Sequence, residues 1–211
     1  MKHTRALTFL ALLALSVLAC DDDPERPGGE PKQLFQPLTT RNAVLNNLEL
    51  AWTQRRTDKI NELLDADFVF YFDEGDVGGE IPPSWDRNTE MVATDALFMS
   101  NTVPAPTVPV CLNSKVDLVF DDELPWVETP VPATAIGEVW YTATVNYSFT
   151  FEMEGDLTYI QNNAKAQFVV RQVGDEWRLV EWRDLGQTNV TSNTTEISQT
   201  STWGQIKSLY D

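Results

Sequence analysis

Tyr141, Tyr147, Asn162, Asp95 and Asp184 are the side chains whose type and spacing could do chemistry in this chain. Asn162 interrupts an apolar alternation made by Ile160, Ala164, Ala166, Phe168 and Val170. Tyr141 and Tyr147 share the same phase of a preceding alternation, so a strand would place both on one face. Asp95 lies among apolar neighbours of a helical pattern, and Asp184 follows Arg183 near the end of the last long strand pattern. A polar group set among apolar walls orients a ligand. A carboxylate and a tyrosine held in an apolar cavity can act as proton acceptor and hydrogen-bond donor, because burial shifts their pKa values. Each residue also has a structural reading. Asn162 could be a satisfied core amide, the tyrosines packing residues with their hydroxyls at an edge, Asp95 a solvated helix position, and Asp184 the partner of Arg183. No motif pairs any Asp with any Tyr, so both readings stay open.

Other chemistries are excluded. The single histidine, His3, belongs to a segment that begins with Lys2, His3 and Arg5 and continues as an apolar run from Ala6 to Ala19. Such a segment reads as a cleaved export signal, being too short for a permanent transmembrane helix of ~20 residues. The mature chain would then hold no imidazole, which removes Ser-His-Asp and Cys-His nucleophiles and histidine zinc sites. The acid clusters "DDDPER", "FDEGD" and "FDDE" do not match the ligand spacing of a calcium loop, so solvated acidic surface is expected there and no metal or cofactor. The formal net charge is −17, and loss of Lys2 and Arg5 with the signal would take it to about −19. That surface is repelled by nucleic acid and by anionic headgroups.

The elements that would position these residues follow from periodicity. "TTRNAVLNNLELAWTQRR" carries Val44, Leu45, Leu48, Ala51 and Trp52 on one helical face, with Thr39 or Thr40 as N-cap. Thr57-Asp58 is expected to cap a second, shorter helix, and "DFVFYFDEG" reads as a strand. "SWDRNTEMVATDALFMS" reads as a third helix, capped near Ser84 or Asp86, with Met91, Val92, Leu97 and Phe98 apolar. After a proline-broken stretch come "KVDLVFDDE", "EVWYTATVNYSFTFEM", "LTYIQNNAKAQFVVRQV" and "EWRLVEWRDL", four strands, the last three joined by short turns into an antiparallel meander. In the last strand, either Trp177, Leu179 and Glu181 or Val180, Trp182 and Asp184 face inward, and periodicity does not choose. The tail "STWGQIKSLYD" carries Trp203, Ile206 and Leu209/Tyr210 at near-helical spacing, so a short docking helix is expected.

Two resemblances add to this. Val17-Leu18-Ala19-Cys20 resembles the lipobox of bacterial lipoproteins, in which the cysteine thiol is diacylated and the signal is cut before it. The resemblance implies signal residues 1–19, lipid attachment at Cys20, and an acidic, Pro- and Gly-containing tether over 20–37. Cys111 would then be the only free thiol, so no intrachain disulfide is expected. The order helix, helix, strand, helix, long antiparallel strands, over Thr39 to Leu185, resembles the nuclear transport factor 2-like superfamily. "LELAWTQRRTDKINELLDADFVF" looks like its opening helix pair feeding the first strand, and "DEWRLVEWRDL" like its final strand. It implies one α+β domain over 38–211, with N-terminal helices on a strongly curved, mostly antiparallel sheet that forms a cone with one mouth. That fold hosts many functions and nominates none.

The expected protein is therefore a lipid-anchored lipoprotein of the bacterial cell envelope, its partner the bilayer through Cys20, binding an apolar small ligand or another protein. The alternatives are a carboxylate/tyrosine enzyme, isomerase- or hydrolase-like, on a hydrophobic small molecule, and a structural module that forms a homodimer through its exposed sheet face.

Overall fold

The computed structural model describes residues 34–78, 81–98, 109–119, 126–132, 135, 137–155, 157–187, 198–200 and 202–210. The expected signal, Cys20 and most of the tether lie outside the described residues. At the end of the expected tether, Phe35 packs on the core and the Gln36 backbone exchanges two hydrogen bonds with the buried Asn47 side chain, at 2.8 and 2.7 Å.

α1 (Arg41–Thr53) starts where Thr40 accepts from the Ala43 N–H, and it buries Val44, Leu45, Leu48, Ala51 and Trp52 as the spacing predicts. α2 (Thr57–Leu63) follows. Its N-cap is Arg56, which offers no side-chain cap, so Thr57 is the first helical residue rather than the cap. β1 (Leu64–Tyr71) leads to a short strand not foreseen in the sequence, β2 (Ser84–Asp86), and then to α3 (Arg87–Phe98). Asp86 accepts from the Thr89 N–H at 2.9 Å and so caps α3. The buried face of α3 is Glu90, Ala93, Thr94, Leu97 and Phe98, while Val92, expected inside, is exposed. Beyond lie β3 (Cys111–Val119), β4 (Val127–Thr129), β5 (Trp140–Met153), β6 (Thr158–Val173), β7 (Glu176–Gln187), β8 (Ser198–Thr200) and α4 (Trp203–Ser208).

Among the described residues these strands form one curled, unclosed sheet in the order β2-β1-β7-β6-β5-β3, with β4 beside β5 and β8 beside β6. β5, β6 and β7 make the expected antiparallel meander, whereas β1 joins β7 in parallel. This is the mixed α+β architecture expected, with helices against the inner face of the curved sheet. Val145, Tyr147, Phe149, Phe151 and Met153 of β5 enter the main core, and Trp140 lies on the opposite face with Val169 and Val180 under Ala135.

The register shifts at several points of the sheet, and two of these shifts decide which residues face the site. Between the pairs Tyr147↔Ala164 and Phe149↔Gln161, β6 carries an extra residue. Asn163 takes φ +54 there and donates its N–H to Ser148 Oγ at 3.1 Å. The bulge reverses the phase, so Tyr159 and Gln161 face in before it, and Ala164, Ala166, Phe168 and Val170 after it. In β7 the register moves between Val170↔Leu179 and Val169↔Glu181. Trp177 and Leu179 therefore face the core on one side of Val180, and Trp182 and Asp184 on the other. The inner face takes residues from both of the sets that periodicity left open.

Candidate functional site

The interior of the curved sheet holds two polar groupings inside an aromatic lining. The first joins β5, β6 and β7. The Tyr147 hydroxyl lies 3.0 Å from Asp184 Oδ1 and 3.3 Å from Gln161 Oε1. With one proton to give, it donates first to the closer carboxylate oxygen. Gly186 donates its backbone N–H to the same Oδ1 at 3.0 Å. Gly186 needs to be glycine: φ is +67, and a Cβ there would run into the Asp73 carboxylate. Asp184 Oδ2 and Gln161 Nε2, both buried, have no hydrogen-bond partner among the described residues.

Electrostatics follow from that burial. Asp184 is pushed up to about 6, chiefly by loss of water, with Asp73 and Asp76 adding repulsion while Gly186 and Tyr147 pull the other way. Tyr147 is held well above its ordinary value by burial and by the Asp184 charge. Asp184 also borders an open cleft of about 540 Å³ lined by Tyr71, Phe72, Asp73, Arg183 and Leu185 among others.

The second grouping joins α3 to α4. Lys207 Nζ lies 2.6 and 2.8 Å from the two oxygens of Glu90, and the Trp85 indole N–H donates to Glu90 Oε2 at 2.9 Å. All three side chains are buried. Burial lowers the Lys207 ammonium to about 8, against the pull of Glu90 and Asp184.

α4 itself occupies the interior. Trp203 packs against Trp52, Trp182, Phe149 and Phe151 at ring-centroid distances of 4.5, 4.9, 5.1 and 5.5 Å. Gly204 lets this happen, since a Cβ there would sit 2.7 Å from Phe72 Cδ1. A capping box on Thr202 and Gln205 starts the helix, and Asp76 accepts from both side chains. Tyr210 closes the segment by donating to the Pro109 carbonyl.

Of the five expected site residues, Tyr147 and Asp184 come together and the other three lie elsewhere. Asn162 is exposed, because the bulge at Asn163 turns it outward and leaves Gln161 inside. Asp95 is exposed on α3. Tyr141 is half-buried away from this grouping, with the Arg41 guanidinium 4.0 Å above its ring and Trp177 at 5.7 Å. Glu90, Gln161 and Lys207 were not singled out by sequence. Glu90 shares a helical phase with Ala93, Thr94 and Leu97, and Lys207 with Trp203, which is the signal that could have found them.

Among the described residues no group of His, Cys, Asp and Glu side chains is arranged to hold a metal ion, and no helix is long and apolar enough to cross a membrane.

No family model matches the chain, and neither does any curated protein. Similar solved structures include a nuclear transport factor 2-like superfamily protein from Salmonella enterica, 13% identical over 72% of this chain and 92% of that one, TM-score 0.43. An uncharacterised protein with a cystatin-like fold from Caulobacter vibrioides is 12% identical over 70% of this chain and 87% of its own, TM-score 0.41. The beta subunit of benzoate 1,2-dioxygenase from Burkholderia mallei is 11% identical over 69% and 87%, TM-score 0.47. These are likenesses of fold, and no activity of this chain follows from them.

Proposed function

We propose that this chain is a small-molecule binding module, tethered to a membrane of the bacterial cell envelope through an acylated Cys20, with the interior of its curved sheet as the binding site. The observation that carries the reading is the Tyr147–Asp184–Gln161 grouping. It is buried in aromatic surroundings and has a carboxylate oxygen and an amide nitrogen without hydrogen-bond partners among the described residues. A buried polar group left unpaired costs ~1–3 kcal/mol, so an arrangement of this kind is supported when a bound molecule completes it. Tethering rests on the Val17–Cys20 junction and the acidic segment behind it.

Native mass spectrometry of the full chain purified from its membranes tests binding. A noncovalent adduct on wild type, reduced in Tyr147→Phe, is the expected result; a bare wild-type mass under conditions that preserve known complexes counts against the reading. Cys20→Ser tests the tether. Fatty-acid labelling should disappear and the domain should leave the membrane fraction, and a mutant still membrane-bound after an alkaline wash would refute the anchor.

One observation favours a second reading, carboxylate/tyrosine catalysis. Asp184, with an oxygen 3.0 Å from a phenol and a pKa near 6, is suited to take a proton at neutral pH. Turnover of an apolar carbonyl or epoxide substrate that rises with pH through about 6 would separate this reading from simple binding.

A further inference from the structure

Lys207 is 97% buried, and what surrounds its ammonium is unusual for a lysine. Besides the Glu90 carboxylate, Nζ lies 3.9 Å from the ring centroid of Phe70, 4.4 Å from Trp182, 5.1 Å from Trp203 and 5.5 Å from Trp52. Phe70 belongs to β1, Trp182 to β7, Trp52 to α1, Trp203 to α4 and Glu90 to α3. Five elements thus supply aromatic faces and one carboxylate to a single point. Ring faces attract a cation through their quadrupole, most strongly when water is excluded, and a carboxylate at the base adds direction. This is the chemistry by which proteins recognise organic ammonium ions, and here the chain's own lysine fills it.

We propose that the interior of the curved sheet is an alkylammonium site, with Lys207 of α4 as its built-in occupant and an amine-bearing small molecule as its competitor. The proposal rests on the binding-module reading of the same interior and names its ligand class.

Three features make α4 a displaceable occupant rather than a fixed part of the core. At six residues the helix is far shorter than the ~12–15 that hold together alone in water, so its order comes from docking. Its docked face is a narrow one, Trp203, Ile206, Lys207 and Tyr210, with Leu209 exposed beside it. Its fit is also incomplete, since the Trp203 indole N–H and those of Trp52 and Trp182 packed against it find no hydrogen-bond partner among the described residues. An amine that also carries hydroxyl or carbonyl oxygens would satisfy Glu90 as Lys207 does and reach groups that Lys207 does not. The acidic chain, at −17, draws such cations toward it.

The experiment uses the full chain, wild type and Lys207→Ala, with n-butylammonium as probe and n-butanol as its neutral match. In Lys207→Ala, n-butylammonium should raise the melting temperature saturably and bind at least tenfold more tightly than n-butanol. Glu90→Gln added to Lys207→Ala should erase that preference. In wild type, n-butylammonium should shift tryptophan emission and speed amide exchange over 203–210, at concentrations at least tenfold above those needed by Lys207→Ala. Equal stabilisation by butanol would reduce the site to an apolar void and overturn the proposal. A wild type that does not respond would make Lys207–Glu90 a purely structural pair and overturn it too. Should Lys207→Ala fail to fold, the wild-type exchange measurement decides alone, with butanol as the comparison. A neutral adduct copurifying with wild type, together with no response to butylammonium, would remove the ammonium class and leave the binding-module reading standing.

Discussion

Asp184→Asn isolates the carboxylate at the centre of the interior. Its folded pKa is about 6, against an ordinary 3.8, so the native state holds this proton more tightly than the unfolded chain does. Between about pH 4 and pH 6 the native state therefore carries the extra proton, and stability falls as pH rises through that window. The cost is absent below about pH 4 and complete above about pH 6. Roughly two pKa units at 1.36 kcal/mol each make it about 3 kcal/mol. Asparagine does not titrate, and its Oδ1 can still accept from the Tyr147 hydroxyl and the Gly186 N–H, which lie 3.0 Å from Asp184 Oδ1. The stability difference between Asp184→Asn and wild type should therefore move by about 3 kcal/mol in favour of the mutant from pH 4 to pH 7. Titration of the other carboxylates largely cancels in that difference, although Asp73 and Asp76 face Asp184 and will each feel the lost charge. Urea unfolding at pH 4, 5, 6 and 7, followed by tryptophan fluorescence, gives the four differences. A difference that stays constant across the series, or moves the other way, would show that Asp184 titrates like an exposed carboxylate, and the burial argument would fail.

Three further outcomes are expected. Gly204→Ala would gain helix propensity of up to about 1 kcal/mol but place a Cβ 2.7 Å from Phe72, so a net loss of ~1–3 kcal/mol should appear in thermal unfolding; a stabilised mutant would mean α4 is not seated there. The Cys111 thiol, fully buried and pushed up to about 12 mainly by that burial, should resist iodoacetamide in the native protein and react in denaturant, and rapid native labelling of Cys111 would contradict its burial. Asn162→Leu should change stability by less than about 0.5 kcal/mol, since the side chain is exposed, whereas Gln161→Ala should cost more than about 1 kcal/mol; the reverse order in denaturant melts would refute the bulge at Asn163.

The helices and the meander were legible in the sequence because each rests on a local period. Val44, Leu45, Leu48, Ala51 and Trp52 repeat as one helical face, and Ala143 to Phe151 alternate without a break, so both could be read from neighbours alone. The parallel pairing of β1 with β7 was not legible, because hydrogen bonds from Val69–Tyr71 to residues 181–183 leave no trace in either segment's own pattern. Asn162 failed for a sharper reason. Period-two reasoning carries a face along a strand only while the register is continuous. The sequence "QNNAK" gives two asparagines, the residue type that tolerates positive φ best after glycine, at the point where the phase reverses. Asn163 is a turn signal inside a strand, and a strand that runs straight through it would put its neighbour on the wrong face. The same failure, at Val180, explains why β7 offered two inward faces and used two residues of each three.

Lys207 shows a different limit. Its phase on α4 puts it beside Trp203, but a lysine at such a position is ordinarily read as a stem that carries its charge out to water. What holds it inside is Glu90, 117 residues away, together with rings from three other elements. Neither charge is stable in the core without the other, since an ion left alone in the interior forfeits several kcal/mol of solvation. The docking of α4 and the burial of Glu90 are therefore one event. A segment that reads in isolation as a weak helix with a Trp-Ile-Tyr face carries, in its single buried cation, the specificity that sets where it docks. The same coupling is what allows an outside cation to compete: whatever supplies a second ammonium to Glu90 and the rings removes the reason for Lys207 to stay buried, and leaves α4 held by the Trp203 ring contacts, the Asp76 bonds to Thr202 and Gln205, and the Tyr210 hydroxyl.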